Sequence, residues 1–328
     1  AIIELNAASF AAIFKRRMLY CSMAINPFMR AALKALSYPE ILDKKNGYRL
    51  QRAAVNASHP HVLRPFYKIW DHHILASDHE VPVRVFSPEV EGVFPMLLFF
   101  HGGGWVTGNI DSYNGVCSDM ARLTQRTVVS VDYRLAPEHK FPAGIEDAYT
   151  GLQWVYDNAE QIGVDRNRIA VCGDSSGGNF AAVMCQLARD RNGVPIQKQV
   201  LIYPNTDFVM AGWESAQTVG SGYYCTKDAL LWYWNHYVGD SYNLENPYLC
   251  PMRAKSFENL PDAYVVVATY APLHDEGAAY ARALEQAGAD VVFRDCTNLM
   301  HGFILFWDEI DEAHDVLVEI GEYLKNNL

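Results

Sequence analysis

The alternation of apolar and polar positions changes character near residue 95. Before it, "FYKIWDHHI" and "VPVRVFSP" alternate with period two around "ASDHE", which predicts a β-hairpin. After it come short unbroken apolar runs: "PMLLFF", "TVVSVDY", "IAVCG", "QVLIYP", "AYVVVATY" and "DVVFRD". Helical spacing fills most intervals between them, as in "PAGIEDAYTGLQWVYDNAEQI" and "SSGGNFAAVMCQLARDR". Strands that are apolar throughout and alternate with helices predict a mainly parallel sheet covered on both faces. The expected fold class is therefore α/β, with the hairpin as its antiparallel edge.

Two stretches stand outside this rhythm. Residues 1 to 60 carry "FAAIFKRRMLY" and "PFMRAALKAL", apolar at spacings of three and four. They predict amphipathic helices packed on the body; Lys15, Arg16 and Arg17 beside apolar neighbours leave a membrane-surface helix as the lesser reading. Residues 206 to about 250 are too long for a simple connection and hold ten aromatic residues, from Phe208 to Tyr248. They predict an inserted cap with "KDALLWYWNHYV" as its main helix. The expected organisation is a cap segment at 1–60 and a catalytic domain at 61–328, with the insertion at about 206–250.

Composition narrows the function classes. Of 328 residues, 27 are Lys or Arg and 38 are Asp or Glu, a net charge of −11. Nucleic acid is not an expected partner, because phosphate binding needs clustered cations. No run of 18 apolar residues predicts a membrane span, and no leader pattern is read at the start. The chain opens at Ala1 and not at Met, so a trimmed leader stays open. Seven scattered cysteines fit neither a disulfide framework nor a zinc site, so a reducing, cytoplasmic setting is expected. A homodimer stays open.

The candidate chemistry is concentrated at three strand ends. Gly173-Asp174-Ser175-Ser176-Gly177 follows "IAVC" and opens a helix, the context a G-x-S-x-G nucleophile elbow requires. The glycine spacing selects Ser175 over Ser176. His101-Gly102-Gly103-Gly104-Trp105 follows "PMLLFF", where glycines free backbone N–H groups to face a ligand. Gly103 and Gly104, with Ser176, are the candidate oxyanion donors; His101 is expected to organise the loop. Of eleven histidines, only His301 has both the late chain position of a general base and a glycine-bearing loop after a strand. Trp105, Asp174, Tyr223 and Tyr224 are candidate substrate contacts.

Together and in order, "HGGGW", "VDYRLAPEHKFPAGIEDAY", "GDSSGGN", "PLHDEG" and "MHGF" resemble the hormone-sensitive-lipase-like esterases of the α/β-hydrolase fold. The resemblance covers roughly residues 70 to 328. It implies hydrolysis of short- to medium-chain carboxylic esters, a small-molecule ester as partner, no metal or organic cofactor, and a cap built from the N-terminus and an insertion. Two departures flank His301. Where the family reads Asp-Pro-Leu-x-Asp-Glu-Gly, with the first Asp as triad acid, this chain has Ala271-Pro272-Leu273-His274-Asp275-Glu276-Gly277. Where the family has Tyr-Pro-Gly, it has Cys296-Thr297-Asn298. Asp275 is the first candidate for a substitute acid, ahead of Asp295 and Glu276. The preferred reading is that none reaches His301 and that Asp275 stabilises a helix start. A crippled esterase is then expected, with a ligand-binding or non-hydrolytic protein on the same frame as the alternative.

Overall fold

A computed structural model describes residues 47–58, 68–88, 92–208, 211–219, 225–238 and 243–325. The predicted helices over 10–20 and 27–36 lie outside the described residues. The eight strands are β1 (Lys68–Leu75), β2 (Glu80–Ser87), β3 (Phe94–Phe100), β4 (Thr127–Val131), β5 (Val164–Asp174), β6 (Lys198–Ile202), β7 (Asp262–Tyr270) and β8 (Val291–Met300). They form one sheet in the order β1-β2-β4-β3-β5-β6-β7-β8. The β1–β2 and β2–β4 pairs are antiparallel and all others parallel, so the predicted hairpin does supply the antiparallel edge.

The apolar runs are strands because both their faces are covered. Every residue of β4 and β6 is buried. On one face lie α3 (Ala143–Asp157), α4 (Ser176–Asp190) and α7 (His274–Gln286), which contribute Leu152, Phe180 and Tyr280 to the packing. On the other lie α2 (Asn114–Thr124) and α8 (Asp311–Lys325), with Met120, Val316 and Ile320. Helix α2 was not singled out by periodicity. Its buried side includes Asn114, Ser118, Asp119 and Thr124, so its apolar stripe is diluted.

The end of α8 is held by two buried cations from the sheet. Arg126 donates to the Leu324 carbonyl at 2.7 Å. Lys198 donates to the Tyr323 carbonyl at 2.8 Å, its Nζ 4.1 Å from the Tyr323 ring centre. Terminal helical carbonyls lack intrahelical donors and carry negative partial charge, so cations suit this place.

In the 206–250 interval the described residues include α5 (Glu214–Thr218) and α6 (Lys227–Val238), the latter matching the predicted cap helix. It presses its aromatic side onto the loop that follows β3. Tyr237 stacks on Trp105 with ring centres 4.4 Å apart and planes 4° apart, and Trp234 meets Trp105 edge-on at 6.0 Å. Helix α1 (Gly47–Ser58) reaches the same loop. Arg52 donates to the carbonyls of Val106 at 2.7 Å and Ala136 at 2.9 Å.

Candidate active site

Ser175 stands between the end of β5 and the start of α4, in a conformation few side chains adopt (φ 55°, ψ −118°). The flanking glycines make this turn sterically accessible. A Cβ on Gly173 would collide with the Gly177 carbonyl, and one on Gly177 with the Phe100 carbonyl. The strain is held by backbone bonds: Ser175 N donates to Ile202 O at 2.9 Å, and Ser175 O accepts from Asn179 N at 3.0 Å and Asn205 N at 3.1 Å.

His301 leaves the end of β8 and places Nε2 2.8 Å from Ser175 Oγ. This is hydrogen-bond distance for a hydroxyl donating to the imidazole. The ring is tilted on Tyr203, with centres 4.6 Å apart. It is buried, and burial pushes its pKa down to about 3. The other ring nitrogen, Nδ1, is buried without a hydrogen-bond partner.

The three carboxylates offered as a substitute acid have other partners. One Asp275 oxygen accepts the Ser215 N–H at 2.8 Å; the other lies 2.9 Å from His274 Nδ1. Asp295 accepts from the Thr269 hydroxyl at 2.9 Å and lies 3.1 Å from His274 Nε2. Glu276 is buried; one of its oxygens accepts from Thr206 N at 2.7 Å, Asn205 Nδ2 at 2.9 Å and Asp207 N at 3.2 Å. The placement of Asp275 in the catalytic set is therefore corrected: it ties the start of α7 to α5. Burial opposes protonation of His274, but Asp275 and Asp295 outweigh it and raise its pKa. Burial likewise opposes ionisation of Asp275, yet His274 and the Ser215 N–H bring its pKa below the usual range.

The loop after β3 carries two of the candidate oxyanion donors. Gly103 (φ 116°) and Gly104 (φ 60°) lie in the left-handed region. A Cβ on Gly103 would collide with the Thr107 carbonyl, and one on Gly104 with the Tyr233 ring of α6. Among the described residues neither N–H has a backbone acceptor, and Ser176 N opens α4, where helical N–H groups lack intrahelical partners. His101 organises the loop through Nδ1, 2.7 Å from Gly102 O, and by stacking on Tyr133 at 4.3 Å. Burial lowers its pKa to about 4, so it is neutral.

Two candidate substrate contacts have other work. Asp174 is buried, with its carboxylate accepting from Gly102 N at 2.8 Å, Tyr113 OH at 3.0 Å and Tyr203 OH at 3.2 Å. Burial raises its pKa to about 7 against those three donors. It fastens the loop after β3 to the turn after β5. Trp105 is buried in the stack with Tyr237 of α6. Tyr223 and Tyr224 lie outside the described residues. Tyr113 and Tyr203 escaped sequence reasoning: Tyr113 sits in the stretch with diluted periodicity, and a positive φ of 34° at Tyr203 has no sequence signal.

Among the described residues no group of three His, Cys, Asp or Glu side chains is placed to hold a metal ion, and no helix is long and apolar enough to cross a membrane. The six described cysteines are all buried and unpaired.

Comparison with known proteins agrees with this geometry. A family described as alpha/beta hydrolase fold matches residues 97–305. The chain is 42% identical to the carboxylic ester hydrolase LipN of Mycobacterium tuberculosis over 231 residues, which is 69% of this chain and 61% of that protein's length. It is 36% identical to an ethyl acetate hydrolase of Pseudomonas putida over 254 residues, 76% of this chain and 80% of that one. The solved structure of a hyperthermophilic esterase from Pyrobaculum calidifontis superposes with a TM-score of 0.87 at 34% identity, covering 92% of this chain and 98% of its own. The chain belongs to the hormone-sensitive-lipase-like esterases of the α/β-hydrolase fold, a family of carboxylesterase-type hydrolases.

Proposed function

We propose that the chain hydrolyses short- to medium-chain or aromatic carboxylic esters through an acyl-enzyme on Ser175, at a rate held down by Ala271. The observation that carries this reading is the 2.8 Å approach of His301 Nε2 to Ser175 Oγ at a strained elbow. Ser175 Oγ attacks the ester carbonyl carbon while its proton passes to His301 Nε2. The carbonyl oxygen gains negative charge, which the N–H groups of Gly103, Gly104 and Ser176 receive. Collapse breaks the carbon–oxygen bond to the alcohol, and His301 returns the proton to the leaving oxygen. Water then repeats the sequence on the acyl-enzyme, releasing the carboxylic acid and restoring Ser175.

The imidazolium formed in each half-reaction is where Ala271 acts. Without a carboxylate on Nδ1, nothing stabilises that charge or fixes the tautomer whose Nε2 accepts the serine proton. In serine proteases removal of the equivalent acid costs about 10⁴-fold in kcat, roughly 5 kcal/mol of barrier, while about 10³–10⁴-fold over water survives. Slow turnover is the expected state of this chain.

The acyl-length preference rests on the aromatic side of α6, which lies over the oxyanion loop and limits the room beside it. The ethyl acetate hydrolase activity named for a relative favours the same size range.

A fluorophosphonate probe followed by peptide mapping tests the nucleophile. Label on Ser175, abolished by Ser175→Ala, is expected; label on Ser176, or ligand binding without any acylation, overturns the reading. The kcat/KM for p-nitrophenyl esters should peak at short to medium chains, and a steady rise through twelve carbons would refute the closing role of α6.

A further inference from the structure

We propose that Arg52 of α1 is a positioning residue of the oxyanion hole, its guanidinium charge reaching the Gly104 N–H through two peptide groups hydrogen-bonded in series. The proposal rests on the hydrolysis assigned to Ser175 and names a further residue for that reaction.

The arrangement begins with helix spacing. Tyr48, Arg52 and Asn56 follow one another at intervals of four, so they share one face of α1. Tyr48 and Val55 are buried, and the face meets the loop after β3 at two points. Arg52 Nε donates to Val106 O at 2.7 Å, and Gly108 N donates to Asn56 Oδ1 at 3.2 Å. The rest of the guanidinium is also committed. Nη2 donates to Ala136 O at 2.9 Å, and Nη1 and Nη2 donate to the two Glu138 oxygens at 3.0 Å and 2.9 Å. A rigid planar fork that meets three acceptors is closely fixed in direction.

The loop carries this contact inward. A trans peptide group is planar, so whatever binds its oxygen aims its N–H the opposite way. Val106 O, which accepts from Arg52, shares a peptide group with Thr107 N. Thr107 N donates to Gly103 O at 2.9 Å. Gly103 O shares a peptide group with Gly104 N, a candidate oxyanion donor. The cation and the two peptide groups thus run head to tail, and the last N–H of the series is that of Gly104. Hydrogen bonds in series polarise one another, so a cation on the first oxygen strengthens the last donor. Val106 and Thr107 are fully buried, so water screens the series little. Gly103 O also accepts from Val106 N at 3.2 Å and Thr107 Oγ1 at 2.9 Å, which fixes the plane of its peptide group. Asn56 supports the same turn from outside: its bond to Gly108 N sets the peptide group whose Thr107 carbonyl backs Gly103.

Removing an oxyanion donor outright costs about 10²–10³-fold in kcat, and weakening one costs less. On p-nitrophenyl butyrate, Arg52→Met should lower kcat about tenfold with KM within about twofold, since the oxyanion exists only in the transition state. Arg52→Lys returns the charge and should recover most of that loss. Glu138→Gln separates charge from anchorage. It breaks the ion pair that ties α1 to the body but leaves the cation on Val106 O, so Tm should fall while kcat holds or rises. A trifluoromethyl ketone, which adds to Ser175 Oγ as a charged tetrahedral adduct, should lose affinity in Arg52→Met in step with kcat/KM. Equal kcat losses in Arg52→Met and Glu138→Gln, no recovery in Arg52→Lys, or unchanged ketone affinity refutes the relay. If Arg52→Met does not fold, Arg52→Gln, which keeps a donor without the charge, replaces it under the same criteria. Fluorophosphonate labelling separates the two levels. Ser175 labelled in every variant with kcat unchanged removes the role of Arg52 alone, whereas unlabelled Ser175 in the unmodified protein removes the hydrolase reading beneath it.

Discussion

At the scale of the residue, the proposed effect of Ala271 is tested at His301. Ala271→Asp should place a carboxylate on Nδ1 and raise kcat about 10²–10⁴-fold with little change in KM, since the acid acts on the transition state. The pH profile gives a second reading of the same change. Burial holds the His301 pKa at about 3, so kcat/KM of the unmodified protein should stay flat on the acid side down to about pH 4. The carboxylate of Ala271→Asp favours the imidazolium, moves the pKa upward, and should bring an acid limb into the measured range. Asp275→Asn in the Ala271 background should leave residual turnover within about threefold, because Asp275 bonds Ser215 and His274 and not His301. The Asp275–His274 pair contributes to stability in a defined window. The raised His274 pKa makes its share complete in acid and lost as pH rises through the folded value. The lowered Asp275 pKa makes its share present above the unfolded value and lost as pH falls through the folded one. A Tm difference between the unmodified protein and Asp275→Asn should therefore be largest between the two, and a constant difference across pH would refute the linkage. The approach of His301 to Ser175 was legible because glycine spacing and chain order are local facts. The commitment of Asp275 was not legible, because its partner Ser215 lies sixty residues away.

Elements carry the next layer, in which strand ends are joined by buried tyrosines and one carboxylate. Asp174 links the end of β5 to the loop after β3 through Gly102 N, and reaches Tyr113 and Tyr203. Asp174→Ala would remove the carboxylate on which these three buried donors converge, a loss of about 3 kcal/mol. Asp174→Asn keeps one acceptor oxygen and should fold, with kcat reduced about tenfold through a displaced oxyanion loop and Ser175 still open to fluorophosphonate. Unchanged kcat in Asp174→Asn would show that the loop needs no such fastening. The strands of this layer were readable because burial on both faces leaves unbroken apolar runs. The partners of Asp174 and Trp105 were not legible for a common reason: both stand in motif positions beside the nucleophile or the glycines, and a motif gives proximity in the chain, not the direction in which a side chain points.

Across the whole molecule, distant segments are tied to the sheet by a few buried polar contacts. Lys198 in β6 and Arg126 just before β4 both hold the last carbonyls of α8. Lys198→Met should cost about 1–3 kcal/mol, seen as a lower denaturation midpoint with kcat unchanged, since the carbonyl it leaves is buried and far from Ser175 in the fold. The α/β order was visible from the apolar runs, but these ties were not, because a buried lysine reads as a surface charge until its partner 125 residues on is known. The same long reach joins α6 to the glycine loop. Tyr233 of α6 occupies the place a side chain at Gly104 would need, and Trp105, the next residue, is stacked on Tyr237. The third glycine is thus kept bare by the ring of Tyr233. Helix α6 and the glycine loop should therefore be inherited together: a graft of another relative's helix at this place would have to bring its own loop with it, and variation in the one should be answered by variation in the other.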